Sequence, residues 1–272
     1  LFRILEKQRL APMVYLLKFE APEIAEKVQP GQFVILRVHE KGERIPLTVC
    51  DFDREKGSID LVFQEVGKTT KLLGRLNVND FILDVIGPLG NPSEVEKFGR
   101  VVCVGGGVGT AAVYPVARAL YQKGNELLNI MGARSAELLI LEDEMRKVSN
   151  SLYITTDDGT KGHHGLVTDV LEQIMEKEKI DRVVAVGPAV MMKFVSRTTQ
   201  PFNVKTVVSL NSIMVDGTGM CGCCRVSVGG ETKFTCIDGP EFDGHLVDFD
   251  ELISRLNMFV EEEKAALKTL RV

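Results

Sequence analysis

Between Asp216 and Cys236 the chain places four of its six cysteines, and the spacing D-x4-C-x2-C-x11-C limits what this segment can become. Two thiolates separated by two residues converge on one metal centre when a tight turn puts both sulfurs on the same side. A C-x4-C-x2-C run followed by a distant cysteine is a [2Fe–2S] spacing. Here the first position of that run is Asp216, with Cys221, Cys224 and Cys236 as the remaining ligands. A carboxylate is a harder donor than a thiolate and favours the oxidised state of the metal. Zinc is the competing occupant, because it also takes four Cys or Asp donors, although zinc ribbons use two C-x2-C pairs and this chain has one pair plus Cys236. Disulfides are the other alternative. Crowding Cys221, Cys223 and Cys224 together suits them poorly, and a chain of 272 residues needs no such staples. Cys223 lies between two proposed ligands; it points away from the centre if both neighbours bind, or replaces one of them.

A net charge of −5 gives no electrostatic case for nucleic acid or anionic lipid. No apolar run is long enough to span a bilayer. The opening residues, LFRILEKQRL, lack the apolar core and cleavage site of a secretory signal. Clustered cysteines fit a reducing compartment, so a cytoplasmic location is expected.

The periodicity of the chain changes near residue 100. Residues 1–97 carry short β-type runs, Val14–Phe19, Phe33–Val38, Ile59–Phe63 and Phe81–Ile86, with turns expected at Pro30-Gly31 and Gly87-Pro88. Strands at such spacing predict a small antiparallel β-barrel. Residues 98–210 instead alternate short, fully apolar strands (Arg100–Val104, Leu127–Met131, Leu152–Thr156, Arg182–Val186) with helical stretches. That pattern predicts an α/β doubly wound parallel sheet. Residues 211–247 hold the cysteine cluster, and 248–272 read as one amphipathic helix with Leu252, Leu256, Phe259 and Val260 on its apolar side. This stripe fits packing on the chain's own body or on a partner.

The strand Val101–Val104 runs into Gly105, Gly106, Gly107, Gly109 and Thr110, and a helix follows. Glycines let backbone approach a pyrophosphate closely, and the helix N-terminus supplies N–H donors. Arg134, after the next strand, is a candidate phosphate ligand or a solvated loop residue. Gly187-Pro188 ends a later apolar strand, where a nicotinamide ribose or ring could rest. In the β-rich half, Arg44-Ile-Pro46-Leu47-Thr48 lies on a strand, where an arginine can clamp a pyrophosphate and a hydroxyl can bond a flavin edge. Gly67-Lys-Thr69-Thr70 precedes a helix and forms another anion site, a geometry that simple N-capping also satisfies. Cys103 reads as core; Cys50 reads as core or as a residue lining the flavin site. His163 and His164 read as loop residues, and no side chain is assigned as a catalytic acid or base.

Taken together, these motifs resemble the ferredoxin–NADP reductase superfamily over essentially the whole chain. Arg44-x-Pro46-Leu47-Thr48 resembles its flavin motif, Gly67-x-Thr69-Thr70 its pyrophosphate loop, and the Gly105–Thr110 and Gly187-Pro188 loops its pyridine-nucleotide loops. The C-terminal segment is similar to that of electron-transfer subunits of dihydroorotate dehydrogenase B, which carry cysteine at all four ligand positions. Asp216 at the first position resembles instead the small subunits of NADH-dependent ferredoxin–NADP oxidoreductases, also described as sulfide dehydrogenase beta subunits. The resemblance implies FAD between barrel and nucleotide domain, a [2Fe–2S] cluster beyond it, and NAD(H) as the nucleotide. Arg134 leaves NADP(H) open, since an arginine there suits a 2′-phosphate. It further implies a larger flavin and iron–sulfur partner subunit in a heterodimer, exchange with ferredoxin through that complex, and electron bifurcation. An electron-transfer subunit serving dihydroorotate oxidation is the alternative flavoprotein, and a zinc-binding redox sensor or scaffold is the alternative of another class.

Overall fold

The computed structural model describes residues 1–270. Seven antiparallel strands form the first sheet: β1 (Phe2–Ala11), β2 (Val14–Glu20), β3 (Phe33–Arg37), β4 (Arg44–Asp53), β5 (Ser58–Gln64), β6 (Phe81–Ile82) and β7 (Asp84–Leu89). Their order is β6-β1-β2-β5-β4-β3-β7. The two edge strands, β6 and β7, are joined through Leu83 alone, so the sheet must curl until its edges nearly meet. This is the expected barrel. Alternate residues of β2 and β5 fill it: Leu17, Phe19, Ile59, Leu61 and Phe63 are buried, each contributing about 1.5–3 kcal/mol of apolar burial. Helices α1 (Pro22–Lys27) and α2 (Lys68–Arg75) add Ile24 and Leu73 to the same core.

Gly87-Pro88 is not a turn but lies inside β7. The β3–β7 register skips between Phe33 and Ile35, which leaves Pro88 opposite an irregular position where no ladder N–H is needed.

The second sheet is built from β8 (Arg100–Gly106), β9 (Glu126–Ala133), β10 (Ser151–Thr156), β11 (His163–His164), β12 (Arg182–Val186) and β13 (Lys205–Ser209), all parallel. Helices α3 (Gly109–Gln122) and α4 (Glu142–Lys147) cover one face, and α5 (Val167–Lys177) and α6 (Ala189–Thr199) the other. The side-chain alternation of β8 shows why its run is apolar throughout: Val101 and Cys103 join the α3–α4 core, whereas Val102 and Val104 join the α5–α6 core. This is the expected doubly wound domain.

A hairpin of β14 (Arg225–Val228) and β15 (Glu231–Phe234) and a one-turn helix, α7 (Thr235–Asp238), follow the nucleotide sheet. The chain then returns as β16 (Glu241–Asp243), which pairs antiparallel with β13 and becomes the seventh strand of that sheet.

The single helix expected over 248–272 is two helices, α8 (Phe249–Leu256) and α9 (Val260–Lys268), and residues 271–272 of that span lie outside the described residues. Asp248 caps α8 by accepting the Glu251 N–H at 2.9 Å. At its other end the Asn257 side chain donates to the Ile253 carbonyl at 3.0 Å, and the chain turns before α9 begins. Leu252 is buried in the nucleotide-sheet core, so α8 belongs to this chain's own body, whereas α9 buries no residue and Phe259 stays exposed. No helix among the described residues is long and apolar enough to cross a membrane.

Candidate cofactor and metal site

In the strand order β11-β10-β9-β8-β12-β13-β16, chain direction along the sheet reverses between β8 and β12. Ligands bind outside the carboxyl ends of strands at such a switch point. The Gly105–Thr110 loop leaves β8 there and the Gly187-Pro188 loop leaves β12, with Gly105 paired to Val186. The two loops touch. A Cβ on Gly109 would fall 2.7 Å from the Gly187 Cα, and one on Gly187 would fall 3.2 Å from the Gly106 Cα. Gly107 differs: its φ is +54°, and a Cβ there would meet nothing within 4 Å among the described residues. Its N–H donates to the Gly132 carbonyl at 2.8 Å, which holds the loop open beside the end of β9. Thr110 is buried in the first turn of α3. Arg134 is exposed just beyond β9, on the same edge of the sheet.

In the barrel, Arg44 opens β4 opposite Arg37 of β3 and is exposed, while Pro46, Leu47 and Thr48 are half-buried along the same strand. Arg44 and Arg134 make no ion pair among the described residues, so neither charge is spent on the protein. Gly67 is the N-cap of α2, and Thr70 closes its first turn by accepting the Gly67 N–H at 2.9 Å. Buried Thr69 donates to Glu43 Oε2 at 2.9 Å, which ties α2 to the residue preceding Arg44. The Arg44 strand and the Gly67–Thr70 turn, far apart in sequence, are thus neighbours.

Cys50 is buried in the seam between barrel and nucleotide domain, with Ala11, Val62, Ala111 and Ile140, and burial raises its thiol pKa well above the ordinary value. Arg118 of α3 closes the same seam with two bonds to Asp51, at 3.0 and 2.6 Å.

The four candidate metal ligands stand as two pairs. The Cys224 and Cys236 sulfurs, both buried, lie 3.2 Å apart. Asp216 and Cys221 are joined through backbone, since Asp216 Oδ2 accepts the Cys221 N–H at 2.9 Å and Oδ1 accepts the Thr218 N–H at 2.8 Å. The Thr218 N–H, with that of Cys221, holds the Asp216 carboxyl below its usual range, so it is an anion with lone pairs to spare. Burial, then the adjacent Cys224 sulfur, pushes the Cys236 thiol up to about 12, and only a metal in place of the proton would hold it as thiolate. All six cysteines are free, and among the described residues no three His, Cys, Asp or Glu donors surround a single point. Three thiols and a carboxylate in two pairs fit a binuclear iron–sulfur group better than one zinc ion. Cys223 is half-buried, with its N–H directed at the Cys221 sulfur at 3.5 Å. The segment packs on the barrel: Cys224, Cys236 and Met214 share a cluster with Phe33, Ile35 and Leu89 of β3 and β7.

Three family models cover most of the chain. Residues 1–93 match an oxidoreductase FAD-binding domain, 103–197 an oxidoreductase NAD-binding domain, and 211–248 the iron–sulfur cluster binding domain of dihydroorotate dehydrogenase B. A dihydroorotate dehydrogenase B (NAD(+)) electron transfer subunit homolog from Thermotoga maritima is 50% identical over 96% of this chain and 92% of its own length. The electron transfer subunit of that enzyme from Geobacillus thermodenitrificans is 32% identical over 88% of this chain and 94% of its own. The chain belongs to the family of dihydroorotate dehydrogenase B electron transfer subunits and their homologues. Among solved structures, one chain of an NADH-dependent reduced ferredoxin–NADP oxidoreductase, studied for flavin-based electron bifurcation, superposes with a TM-score of 0.94 at 48% identity, covering 98% of this chain and 97% of that one. The protein is therefore a flavin-dependent oxidoreductase component with FAD-binding, NAD-binding and iron–sulfur domains.

Beyond the motifs shared with this family, the site includes residues that local spacing does not announce. Glu43 anchors Thr69, and Gly132 anchors Gly107. Arg225 and Arg255 bond the carbonyls of Gly222 and Cys223. Only Arg225, adjacent to Cys224, lies within the cysteine motif; Arg255 reaches it from 32 residues away.

Proposed function

We propose that this chain is the NAD(H)-handling electron-transfer subunit of a bifurcating NADH-dependent ferredoxin–NADP oxidoreductase, working with a larger flavin and iron–sulfur subunit. The observation that carries the reading is Asp216 at the first ligand position, in a chain whose backbone follows the ferredoxin–NADP oxidoreductase chain so closely. When bound, FAD exchanges hydride with nicotinamide and the [2Fe–2S] group accepts electrons one at a time. The protein's own contribution is positioning. Arg44, with Pro46, Leu47 and Thr48 along β4, would hold the flavin, its guanidinium neutralising pyrophosphate charge, while Gly67, Thr69 and Thr70 offer the N–H groups of the first turn of α2. Gly105, Gly106, Gly107, Gly109 and Thr110 would seat the dinucleotide pyrophosphate, and Gly187 and Pro188 its nicotinamide end. Arg134 would face the adenosine ribose, where its free charge bears on the choice between NAD(H) and NADP(H). Asp216, Cys221, Cys224 and Cys236 would hold the iron. Hydride exchange needs no acid or base from the protein, so none is assigned.

Dihydroorotate oxidation is the second reading, favoured by the names of the relatives and by the iron–sulfur segment model. Purification with the native partner separates the two. A partner carrying flavin and further iron–sulfur centres, and a complex that reduces NADP+ only when NADH and reduced ferredoxin are both present, is the expected result. A partner that oxidises dihydroorotate would refute the proposal.

A further inference from the structure

The loop from Cys221 to Cys224 is polarised. On one side its N–H groups face ligand atoms: Cys221 N–H donates to Asp216 Oδ2 at 2.9 Å, and Cys223 N–H points at the Cys221 sulfur at 3.5 Å. On the other side its carbonyls face guanidinium groups. Arg225 Nη1 donates to the Gly222 carbonyl at 3.2 Å, and Arg255 Nη2 donates to the Cys223 carbonyl at 3.0 Å. Arg225 is the loop's own neighbour, but Arg255 comes from α8, outside the segment matched to the iron–sulfur domain model, which ends at residue 248. Helix α8 is fixed independently, by Leu252 in the nucleotide-sheet core and by Glu251, whose carboxylate accepts the Ser227 N–H at 3.1 Å. Arg255 is therefore presented to the loop from a rigid support. It lines a cavity of about 240 Å³ together with Cys221, Cys223 and Arg225. In a partly buried site of this kind a fixed positive charge stabilises added negative charge.

We propose that Arg255 is a positioning residue for the iron–sulfur group: it clamps the Cys223 carbonyl, ties the loop between Cys221 and Cys224 to α8, and by its charge favours the reduced cluster. The inference rests on the assignment of Asp216, Cys221, Cys224 and Cys236 as ligands. It makes the C-terminal helix, rather than the cysteine motif alone, part of what sets the potential. Hydrogen bonds and charge around the sulfurs are among the factors that tune such centres.

The test is a redox titration of the full chain, followed by the EPR signal of the reduced cluster, after two irons per chain have been verified in the wild type. Absence of iron and sulfide from the wild type would remove the ligand assignment itself. With that passed, Arg255→Gln is expected to keep its iron and FAD while the reduction equilibrium moves about tenfold toward the oxidised cluster, which is about 59 mV for one electron. Arg255→Glu is expected to move further in the same direction, and Arg255→Lys to stay within threefold of the wild type. Wild-type potentials in the glutamine and glutamate variants would overturn the proposal. If the glutamine variant loses its iron, the lysine variant decides: iron retained within threefold of the wild-type equilibrium supports the role, and iron lost or a tenfold shift overturns it.

Discussion

The contact between the two nucleotide loops makes Gly109→Ala the most telling substitution. The added Cβ would stand 2.7 Å from the Gly187 Cα, against an ordinary carbon–carbon contact of roughly 3.5–4.0 Å. The loops leaving β8 and β12 must therefore part by about 1 Å, at an overpacking cost of about 1–3 kcal/mol. Misplacement of a reacting pair by about 1 Å costs on the order of 10²-fold in rate. Anaerobic stopped-flow reduction of the bound flavin is the assay: the NADH-driven step should slow by about that factor, while reduction by dithionite is unchanged. Gly107→Ala provides the contrast. Its Cβ meets no atom of the described residues within 4 Å but faces the open space of the loop, and its φ of +54° penalises any side chain by about 1–2 kcal/mol. This variant should raise the NADH concentration needed for half-maximal reduction without moving the loops apart. A Gly109→Ala protein reduced by NADH at the wild-type rate would refute the reasoning.

Other substitutions address the flavin, the metal and the pH response. Arg44→Ala should weaken FAD binding roughly 10–100-fold, the equivalent of a lost charge-assisted contact of about 1.5–3 kcal/mol; stoichiometric FAD retained through dilution and gel filtration would count against the assignment. Asp216→Cys should keep two irons but change the potential and EPR signature, because sulfur is the softer donor, whereas Cys223→Ser should leave both as in the wild type. If instead Cys223→Ser destroys the cluster and Asp216→Ala spares it, Cys223 is the ligand. Asp60 is 13% exposed, and burial pushes its carboxyl up to about 6, with Lys18 at 3.5 Å only partly compensating. The unfolded chain releases this proton near 3.8, so the stability from the folded, protonated form is full below that value, falls as pH rises toward 6, and stays lost above it. Asp60→Asn should therefore stabilise the protein at pH 8 relative to pH 4, by on the order of 2 kcal/mol; melting curves with the same difference at both pH values would contradict this.

The doubly wound half was the easier to read because strands buried on both faces appear as unbroken apolar runs, as Val101–Val104 does. β1 was not legible as a strand: only Ile4 and Ala11 of its ten residues are buried, so period-two alternation is missing. β16 is three residues, Glu-Phe-Asp, and owes its existence to the free edge of β13 rather than to propensity. The tail read as one helix because its apolar spacing continues past Asn257; the break comes from local hydrogen bonding that spacing does not encode. In the site, the glycine loop and cysteine spacing are local patterns and could be seen. The bonds of Arg255 to Cys223 and of Glu43 to Thr69 arise only when distant segments fold together, and no spacing announces them.

A parallel sheet ends in a strand whose outer N–H and C=O groups lack partners, and bare edges of this kind are where other molecules add strands. In this fold the edge at β13 is covered by Glu241–Asp243, three residues that belong to the segment matched to the iron–sulfur domain. That segment is also fastened to the barrel, through Gly239 and Ile237, whose carbonyls take the backbone and side-chain N–H groups of Asn91 at 2.7 and 3.1 Å. Release of this segment would uncover the outer edge of Lys205–Ser209, the kind of edge to which other strands add.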